Sequence, residues 1–338
     1  MGRIETKTSL VRESGNEPLV AICMATFNPP IALFRKQIQS IIDQAYQNWT
    51  CIISDDNSSS ELLTEISKTI SNDSRFTLVV SETRLGFYRN FERCLSLAPT
   101  NADYIALADQ DDYWSPEKLR LTLSGFDRSA CLTYCDMNVV DQQSNILANT
   151  FWNNRLNNYT DFTSLILVNT VTGASMIFNR ELLESILPFP DQIKGLFHDH
   201  WIALIALATG KIAFVNAPLY NYTQHSSNVI GFRELDGNPL LRTIYYNLKS
   251  LTTIEGRQQA KEIYFDHVVR LSALAKALEN RTDESLSYGK RISLRLLQKL
   301  DTSLLSALWL ALRGLKNWRT VRSEERRVGK ECLRLCRS

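Results

Sequence analysis

Three aspartates crowd into four positions at Asp109-Gln110-Asp111-Asp112, directly after the apolar run YIALA at 104–108. Carboxylates this close repel one another unless a cation or another partner lies between them. Hard divalent cations such as Mg²⁺ and Mn²⁺ prefer oxygen ligands, and they often bind through one or two carboxylates plus a diphosphate. The cluster therefore predicts a divalent-metal site, with a solvated acidic loop as the alternative.

A calcium-binding EF-hand does not fit this acidic cluster. Counted from Asp109, the sixth position is Trp114, where the EF-hand needs glycine, and the twelfth is Arg120, where it needs glutamate. If the cluster binds a cation, it must do so in another geometry.

A second acidic group, Asp55-Asp56-Asn57-Ser58, follows the strand-like run at 49–54. An aspartate in such a place can accept hydrogen bonds from the ring N–H of uracil or thymine, or from a ribose hydroxyl. Turns rich in aspartate and asparagine also form for structural reasons alone. Both interpretations stay open.

The elements that must position these groups alternate between strand and helix. The sequence predicts strands at 19–26, 49–54, 76–80 and 104–108, and helices at 31–45, 61–70 and about 87–97. This alternation is typical of βαβ units that build a parallel sheet. In such sheets ligands bind beyond the carboxyl ends of the strands. Because the groups TFN, DDNSS and DQDD all follow predicted strands, we expect them at one edge of the sheet.

The pattern is mixed beyond these elements. It predicts strands at 131–140 and 172–179, a helix at 198–210, and an almost entirely helical chain from about residue 240.

Composition excludes several classes of protein. The 338 residues are 44% hydrophobic and carry a net charge of +2 without a long single-sign block, so nucleic acid is not a predicted partner. The seven cysteines form no CxxC pair, which argues against a zinc ribbon or a disulfide framework and favours buried reduced thiols. Residues 1–18 lack the apolar stretch of a signal peptide, and no run reaches the roughly 20 apolar residues of a membrane span. The predicted location is cytoplasmic.

Together these stretches resemble family 2 of the nucleotide-sugar glycosyltransferases, which have the GT-A fold. Those that carry the resemblance lie in the family's order within about residues 19–232: VAICMATFNP, QIQSIIDQAYQNWTCIISDDNSS, RLGFYRNFERCL, YIALADQDDYWSPEKL, HDHWIALIALATG and YNYTQHSSNVIG. The resemblance implies an α/β fold with a Rossmann-like, mostly parallel sheet flanked by helices. A C-terminal helical appendage follows it in this chain.

The resemblance also implies which residues bind the nucleotide-sugar donor. Thr26 and Asn28 lie where the first loop of the family borders the nucleotide. Asp55 and Asp56 match the pair that holds the base and the ribose.

The metal ligands implied by the resemblance are Asp109 and Asp111, the outer positions of the DxD motif. Asp111 is the main ligand, and both residues also belong to the nucleotide-sugar site. His225 corresponds to a histidine that helps to bind the metal or the diphosphate in some relatives; a plain surface histidine is its alternative. A Mn²⁺ or Mg²⁺ ion at this place would neutralise the charge that develops on the leaving diphosphate.

Asp199 falls where the family places its catalytic base, at the start of a predicted helix. The helix dipole favours the ionised carboxylate, which can take the proton of the acceptor hydroxyl as that oxygen attacks. Attack opposite the leaving group predicts an inverting transferase. The alternative role for Asp199 is a helix cap. Gly173 and Trp201 are implied on the acceptor side, with core packing as the alternative for Trp201.

The predicted function is an inverting glycosyltransferase of bacterial surface polysaccharide synthesis, such as O-antigen. It would move rhamnose from dTDP-rhamnose, as the first choice, or a hexose from a UDP-sugar onto an acceptor hydroxyl. One alternative is a sugar nucleotidyltransferase, which should carry a phosphate loop rich in glycine and basic residues where this chain has ATFNPP. The other is a catalytically inactive, sugar-binding relative.

Four segments are predicted along the chain: an N-terminal polar extension at 1–18, a GT-A catalytic domain at 19–235, a helical region at 236–321 and a non-native tail at 322–338. The tail sequence RSEERRVGKEC resembles a translated sequencing adapter; a genuine basic tail is the alternative.

The helical region contains LLSALWLALRGLKNWR, which is typical of an interfacial helix near a lipid-linked acceptor. It is also typical of a helix that packs on the catalytic domain or on a second subunit, which is the favoured interpretation. The predicted partners are therefore a donor, a saccharide or lipid-linked saccharide acceptor, the inner face of the cell membrane and a second copy of the chain.

Overall fold

The computed structural model of the chain describes residues 17–152, 157–191, 193, 196–224, 253, 258, 268–282, 285–300, 302, 303, 305, 306 and 308–310. These residues fall into two compact units. The first unit contains the described residues up to 151, together with 171–189 and 210–224. The second contains the described residues of 152–170, of 190–209 and from 253 onward.

A single sheet organises the first unit. Its strands in the described residues are β1 Val20–Thr26, β2 Trp49–Asp55, β3 Phe76–Val80, β4 Tyr104–Ala108, β5 Tyr113–Trp114, β6 Ala130–Val140, β7 Ile146–Ala148, β8 Met176–Asn179 and β9 Lys211–Thr223. Their order is β3-β2-β1-β4-β8-β6-β9-β5, and β7 pairs with β6.

The first four strands form the parallel part of the sheet, as the sequence predicts. β1 pairs with β2 on one side and with β4 on the other, and β2 pairs with β3. Strands in such a position are covered on both faces, which explains why β1 and β4 are short, nearly continuous apolar runs. Their carboxyl ends therefore meet at one edge, as expected.

Helices cover this sheet in the first unit. They are α1 Ile31–Ile42, α2 Ser60–Ile70, α3 Phe87–Ser96, α4 Lys118–Ser124 and α6 Leu182–Ile186. α1 shows the reason most clearly, because its buried residues Phe34, Ile38 and Ile41 recur at helical spacing on one face. The Ser59 hydroxyl accepts a hydrogen bond from the Leu62 N–H and so caps α2.

The other half of the sheet is mixed. β8 runs antiparallel to both β4 and β6, whereas β6 and β9 are parallel. The strand predicted at 172–179 is shorter in the structure, because a 3-10 turn at Gly173–Ser175 precedes β8. β9 was not among the predicted strands. Its burial alternates irregularly, so neither strict alternation nor an apolar run marks it in the sequence.

The second unit is helical in its described part. Its helices include α5 Phe162–Leu167, α7 His198–Thr209, α8 Arg270–Thr282 and α9 Tyr288–Gln298. Ten of the 12 residues of α7 are buried, as expected for a helix that is apolar on all sides. α8 packs against α5, α7 and α9.

In the part of the chain that the structure describes, no helix is long and apolar enough to cross a membrane. Cys23, Cys51, Cys94 and Cys135 are buried thiols, in line with the prediction from their spacing. The predicted polar extension up to residue 16 and the suspected non-native tail lie outside the described residues.

Candidate active site

The loops after β1, β2 and β4 lie side by side at the carboxyl edge of the parallel strands. Thr26 at the end of β1 is in register with Asp55 at the end of β2, and Met24 is in register with Ala108, which directly precedes Asp109. The sheet thus brings together the three groups of polar residues that the sequence predicts at this edge.

Asp55 is fully buried, and both of its carboxylate oxygens are occupied. Oδ1 accepts from the Ser58 N–H at 2.8 Å, and Oδ2 accepts from the hydroxyls of Ser58 at 2.6 Å and Thr26 at 2.9 Å. Three donors compensate the cost of burying this carboxylate. Asp55 therefore ties the first two loops together, and a direct contact with the nucleotide stays a prediction.

Asp56 is also almost fully buried, and it holds the start of α3. Its oxygens accept from the backbone N–H groups of Leu85 at 2.6 Å and Gly86 at 2.8 Å. Gly86 has φ +81°, a left-handed conformation that glycine adopts without strain. Each carboxylate oxygen of Asp56 has a second lone pair, so the group keeps acceptor capacity beyond these two hydrogen bonds.

Asn28 fixes the loop after β1 against the loop after β2. Its backbone N–H donates to the Ser58 hydroxyl at 2.7 Å, and its side-chain oxygen accepts from the Ser59 N–H at 3.1 Å. Its φ of +42° is in the left-handed region, which asparagine tolerates better than most residues. Asn28 therefore lies at this edge in a defined conformation.

Gln110 contributes to this edge although the sequence does not predict it as a site residue. Its side-chain oxygen accepts from the Phe27 N–H at 2.9 Å, so it joins the loop after β1 to the acidic loop after β4. The sequence likewise does not predict Arg84 as a site residue. Its guanidinium carbon lies 4.0 Å from the centre of the Phe27 ring, which places a positive charge beside these loops.

The acidic loop, residues 109–112, combines two partly exposed carboxylates with a buried one. Asp109 and Asp111 are partly exposed, whereas Asp112 is 1% exposed. Burial, followed by the charges of Asp109 and Asp111, raises the pKa of the Asp112 carboxyl well above its usual range. Its Oδ1 accepts a long hydrogen bond from the Thr223 N–H at 3.3 Å, and Oδ2 has no hydrogen-bond partner in the described structure.

Lys118, at the start of α4, is a third residue at the site that the sequence does not predict. It is fully buried, and its Nζ lies 3.5 Å from the centre of the Trp114 ring and 5.8 Å from that of Tyr220. Burial lowers the pKa of Lys118 to about 8, although the nearby Cys135, Asp112 and Asp109 act in the opposite direction. A lysine that keeps its charge here would offset part of the repulsion within the acidic loop.

Comparison with known proteins identifies the family of this chain. Residues 21–187 match the model described as Glycosyl transferase family 2. This segment belongs to the family. Its match includes the loops after β1, β2 and β4, which form the site described above.

Individual relatives agree with that assignment. WcaA of Escherichia coli K12, named for a glycosyl transferase of colanic acid biosynthesis, is 34% identical over 109 residues, which is 32% of this chain and 38% of WcaA. WfgD of Escherichia coli, named as a UDP-Glc:alpha-D-GlcNAc-diphosphoundecaprenol beta-1,3-glucosyltransferase, is 30% identical over 106 residues, 31% of this chain and 40% of WfgD. The chain thus spans less than half the length of these relatives.

A solved structure supports the fold. TarS 1-349 of S. aureus, determined in complex with UDP-GlcNAc, superposes with a TM-score of 0.51 at 15% identity, over 88% of this chain and 91% of TarS. Likeness at this identity concerns the fold alone. The expected GT-A fold is confirmed.

The donor set of this family 2 site fits a divalent cation that arrives with its substrate. In the described residues, no group of three or more histidine, cysteine, aspartate or glutamate side chains is arranged to hold a metal ion by itself. Mg²⁺ is usually held by one or two carboxylates plus substrate phosphates, so a closed protein cage is not required. Asp109 and Asp111 supply such carboxylates, and the buried Oδ2 of Asp112 has no hydrogen-bond partner in the described structure.

The predicted base belongs to the second unit. Asp199 lies in the first turn of α7, is partly exposed, and accepts a hydrogen bond from the His200 N–H at 2.7 Å. Burial lowers the pKa of His198 to about 3 and that of His200 to about 4, so both are neutral at physiological pH. The His200 Nε2 donates to the Leu165 carbonyl at 2.7 Å, which makes it a structural residue.

The remaining predicted site residues have different environments. Gly173 is buried in the 3-10 turn before β8, where the Thr172 hydroxyl donates to the Ser175 hydroxyl at 2.9 Å. Trp201 is 0% exposed in the second unit, and full burial favours core packing over stacking on an acceptor sugar. His225 lies outside the described residues.

Proposed function

We propose that this family 2 chain is an inverting, metal-dependent glycosyltransferase. It transfers a sugar from a nucleotide-sugar donor to an acceptor hydroxyl during the synthesis of a bacterial surface polysaccharide. The observation that carries the proposal is the set of hydrogen bonds that joins three strand ends. Thr26 bonds to Asp55, and Phe27 bonds to Gln110, so the nucleotide loops and the acidic loop form one edge.

Burial divides the aspartates of this edge into two kinds. Asp55 and Asp56 are buried and bonded to neighbouring loops, so they hold the frame on which a nucleotide would lie. Asp109 and Asp111 are partly exposed on the acidic loop and are the carboxylates within reach of a ligand. We assign the metal to Asp109 and Asp111. We assign the base and the ribose of the donor to Thr26, Asn28 and Asp56, which retains acceptor capacity for a further hydrogen bond.

A divalent cation at Asp111 would stabilise the negative charge that develops on the departing diphosphate. The chain's own residues supply the rest of the chemistry. Asp199 accepts the acceptor's hydroxyl proton while that oxygen bonds to the anomeric carbon and the bond from this carbon to the diphosphate breaks. Attack from the side opposite the leaving group inverts the anomeric centre. General-base help of this kind contributes about 100- to 10,000-fold in rate.

Two donors are proposed, and relatives favour one of them. Resemblance to bacterial surface-glycan enzymes suggests dTDP-rhamnose. The name of WfgD specifies UDP-Glc as its donor, and TarS was determined with UDP-GlcNAc. These names support a UDP-sugar for this chain. The name of WfgD also specifies a diphosphoundecaprenol-linked acceptor, which supports a lipid-linked saccharide as the acceptor here.

Contact with the inner face of the membrane and a homodimer through the C-terminal helices stay predictions. Both depend partly on residues after 310, which lie outside the described part of the chain. A role of His225 at the metal or the diphosphate also stays a prediction.

Thermal unfolding with UDP-, dTDP- and GDP-sugars, each with and without Mn²⁺, tests the proposal. A ligand at 100 times its Kd stabilises the folded state by about 2.7 kcal/mol, which raises Tm by roughly 4 °C in a protein of this size. We expect this shift with one nucleotide and only with Mn²⁺. The absence of a shift with every nucleotide sugar would contradict the proposal.

The Asp199→Asn variant separates binding from transfer. We expect it to keep the thermal shift with donor and Mn²⁺, because the donor does not depend on the base, and to lose at least about 100-fold in transfer rate. Near-normal transfer by Asp199→Asn would show that another group is the base. An inactive sugar-binding relative would show no transfer in the wild-type protein either.

A further inference from the structure

A cavity of about 320 Å³ opens in the first unit beside the end of the acidic loop. It lies between α1, the acidic loop, the turn between β6 and β7, and the end of β9. Its polar lining comprises Lys36, Asp112, Gln142, Ser144, Asn221 and Thr223. None of the residues assigned above to the donor or the metal lines it.

The polar groups of the cavity suit an uncharged ligand with many hydroxyl groups. Lys36 at the exposed rim and Asp112 at the buried floor contribute one basic and one acidic group, so neither sign dominates. Asp112 Oδ2 is buried and has no hydrogen-bond partner in the described structure. The Asn221 side-chain oxygen accepts a hydrogen bond from the Asn138 amide at 3.0 Å. The NH₂ group of Asn221 is therefore a donor for a different partner. Gln142 adds a second amide at the rim.

An aromatic ring completes the lining. Tyr113 and Trp114 are consecutive residues of β5, so their side chains point to opposite faces. Trp114 is fully buried, whereas Tyr113 is 42% exposed and borders the cavity. A partly exposed ring offers an apolar face to the C–H side of a sugar ring, while its hydroxyl remains able to form a hydrogen bond.

Strand pairing and hydrogen bonds define the walls of the cavity. Tyr113 pairs with Asn221 across the β5–β9 ladder. The β6–β7 turn is held by the Asp141 carboxylate, which accepts from the N–H groups of Gln143 at 2.9 Å and Asn145 at 2.8 Å. Ser144 in this turn has φ +67°. A preformed pocket loses less free energy on binding than one that must be ordered by its ligand.

We propose that this cavity is a subsite for one neutral sugar unit of the acceptor glycan. Its volume is at the lower end of the range of about 300–1,000 Å³ for small-molecule sites, which suits a single sugar ring better than a nucleotide sugar. Asp112 and Tyr113 directly follow Asp111 in the chain, so an occupant contacts the loop proposed to hold the metal. The lining of the cavity alone supports the binding of a saccharide. The assignment of that saccharide to the acceptor rests on the proposed function.

Saturation-transfer difference NMR on the full chain tests the subsite, with the methyl glycosides of glucose, galactose, rhamnose and N-acetylglucosamine as probes. The variants are Tyr113→Ala, which removes the ring, and Gln142→Ala, which removes an exposed amide. Tyr288→Ala is the matched control, because Tyr288 is an 81% exposed tyrosine of the second unit. Thermal unfolding checks that each variant folds, and if Tyr113→Ala does not fold, Gln142→Ala decides.

We expect at least one glycoside to bind the wild-type protein and the Tyr288→Ala control equally. Its affinity should fall about fivefold in each folded cavity variant. No binding to the wild-type protein, or equal binding to the cavity variants, would overturn the subsite. UDP and dTDP binding with Mn²⁺ is measured in parallel. Glycoside binding without nucleotide binding would support the saccharide site but contradict the transferase proposal and the acceptor assignment. Nucleotide binding without glycoside binding would contradict only the subsite.

Discussion

β2 and β4 are both followed by a cluster of aspartates at the end of a buried parallel strand, yet the buried aspartates of the two clusters have opposite environments. The buried Asp55 accepts three short hydrogen bonds from Thr26 and Ser58. The buried Asp112 accepts one long hydrogen bond and has an orphaned oxygen in the described structure. The protein itself satisfies both oxygens of Asp55, whereas it leaves Oδ2 of Asp112 without a hydrogen bond in the described residues. The difference supports the proposal that the loop after β2 has a structural role and that the acidic loop binds a cation.

The largest expected effect is on catalysis in the acidic loop. Asp111→Asn keeps the size of the side chain and removes its charge, so we expect the transfer rate to fall by about 100-fold or more. The free energy of unfolding without metal should change little, because Asp111 is partly exposed. Steady-state kinetics with donor and Mn²⁺ measure the first quantity, and urea unfolding measures the second. Glu82→Gln, at another exposed carboxylate, is the control. Transfer within threefold of the control would remove Asp111 from the mechanism.

The next effect concerns the lysine beside the acidic loop. Burial lowers the pKa of Lys118 to about 8 in the folded protein, whereas the ordinary value for lysine is 10.5. The unfolded chain therefore binds more protons between these values, and stability rises with pH across this window by up to about 3 kcal/mol. Lys118→Met should remove that rise.

Urea unfolding of both proteins between pH 7 and 10.5 measures the effect of Lys118→Met as a difference, which cancels the titration of other groups. The same variant should bind Mn²⁺ more tightly in the presence of nucleotide, because a neighbouring positive charge is gone. Parallel pH profiles for the wild-type protein and the variant would contradict the environment described for Lys118.

In the loop after β2, the main effect of a substitution should be on stability. Asp55→Asn turns one acceptor oxygen into an NH₂ group that faces the donors of Thr26 and Ser58, so we expect the free energy of unfolding to fall by about 2–3 kcal/mol. Glu61→Gln, fully exposed at the start of α2, serves as the control within the same region. If Asp55→Asn were as stable as this control, the proposed frame role would be wrong.

The smallest expected effect concerns the hydrogen bond between the loop after β1 and the acidic loop. Gln110→Ala leaves the Phe27 N–H without its acceptor, which should cost about 1 kcal/mol. This bond positions the loop after β1, which is proposed to border the nucleotide, relative to the acidic loop. KM for the donor should therefore rise more than kcat falls. Gln143→Ala, at an exposed glutamine in the β6–β7 turn, is the matched control. Equal KM values for both variants would show that the link does not shape the donor site.

The sequence alone predicts the parallel half of the fold because β1 to β4 are short apolar runs, each followed by polar residues. It does not predict β9, whose irregular burial depends on pairing with β6 and β5 far away in the chain. Asp109 and Asp111 could be selected by spacing. Gln110 could not, because its role depends on Phe27, 83 residues away. Lys118 is buried by contacts of α4 with β6 and β9, which local patterns do not report.

Binding of Mn²⁺ itself tests the central claim most directly. Electron paramagnetic resonance can follow the free ion as it is titrated with the protein in the presence of UDP or dTDP. For the wild-type protein and for Glu82→Gln, we expect one tightly bound ion per chain that requires the nucleotide. In Asp111→Asn that binding should be lost. Equal Mn²⁺ binding by Asp111→Asn and the wild-type protein would contradict the account of the acidic loop.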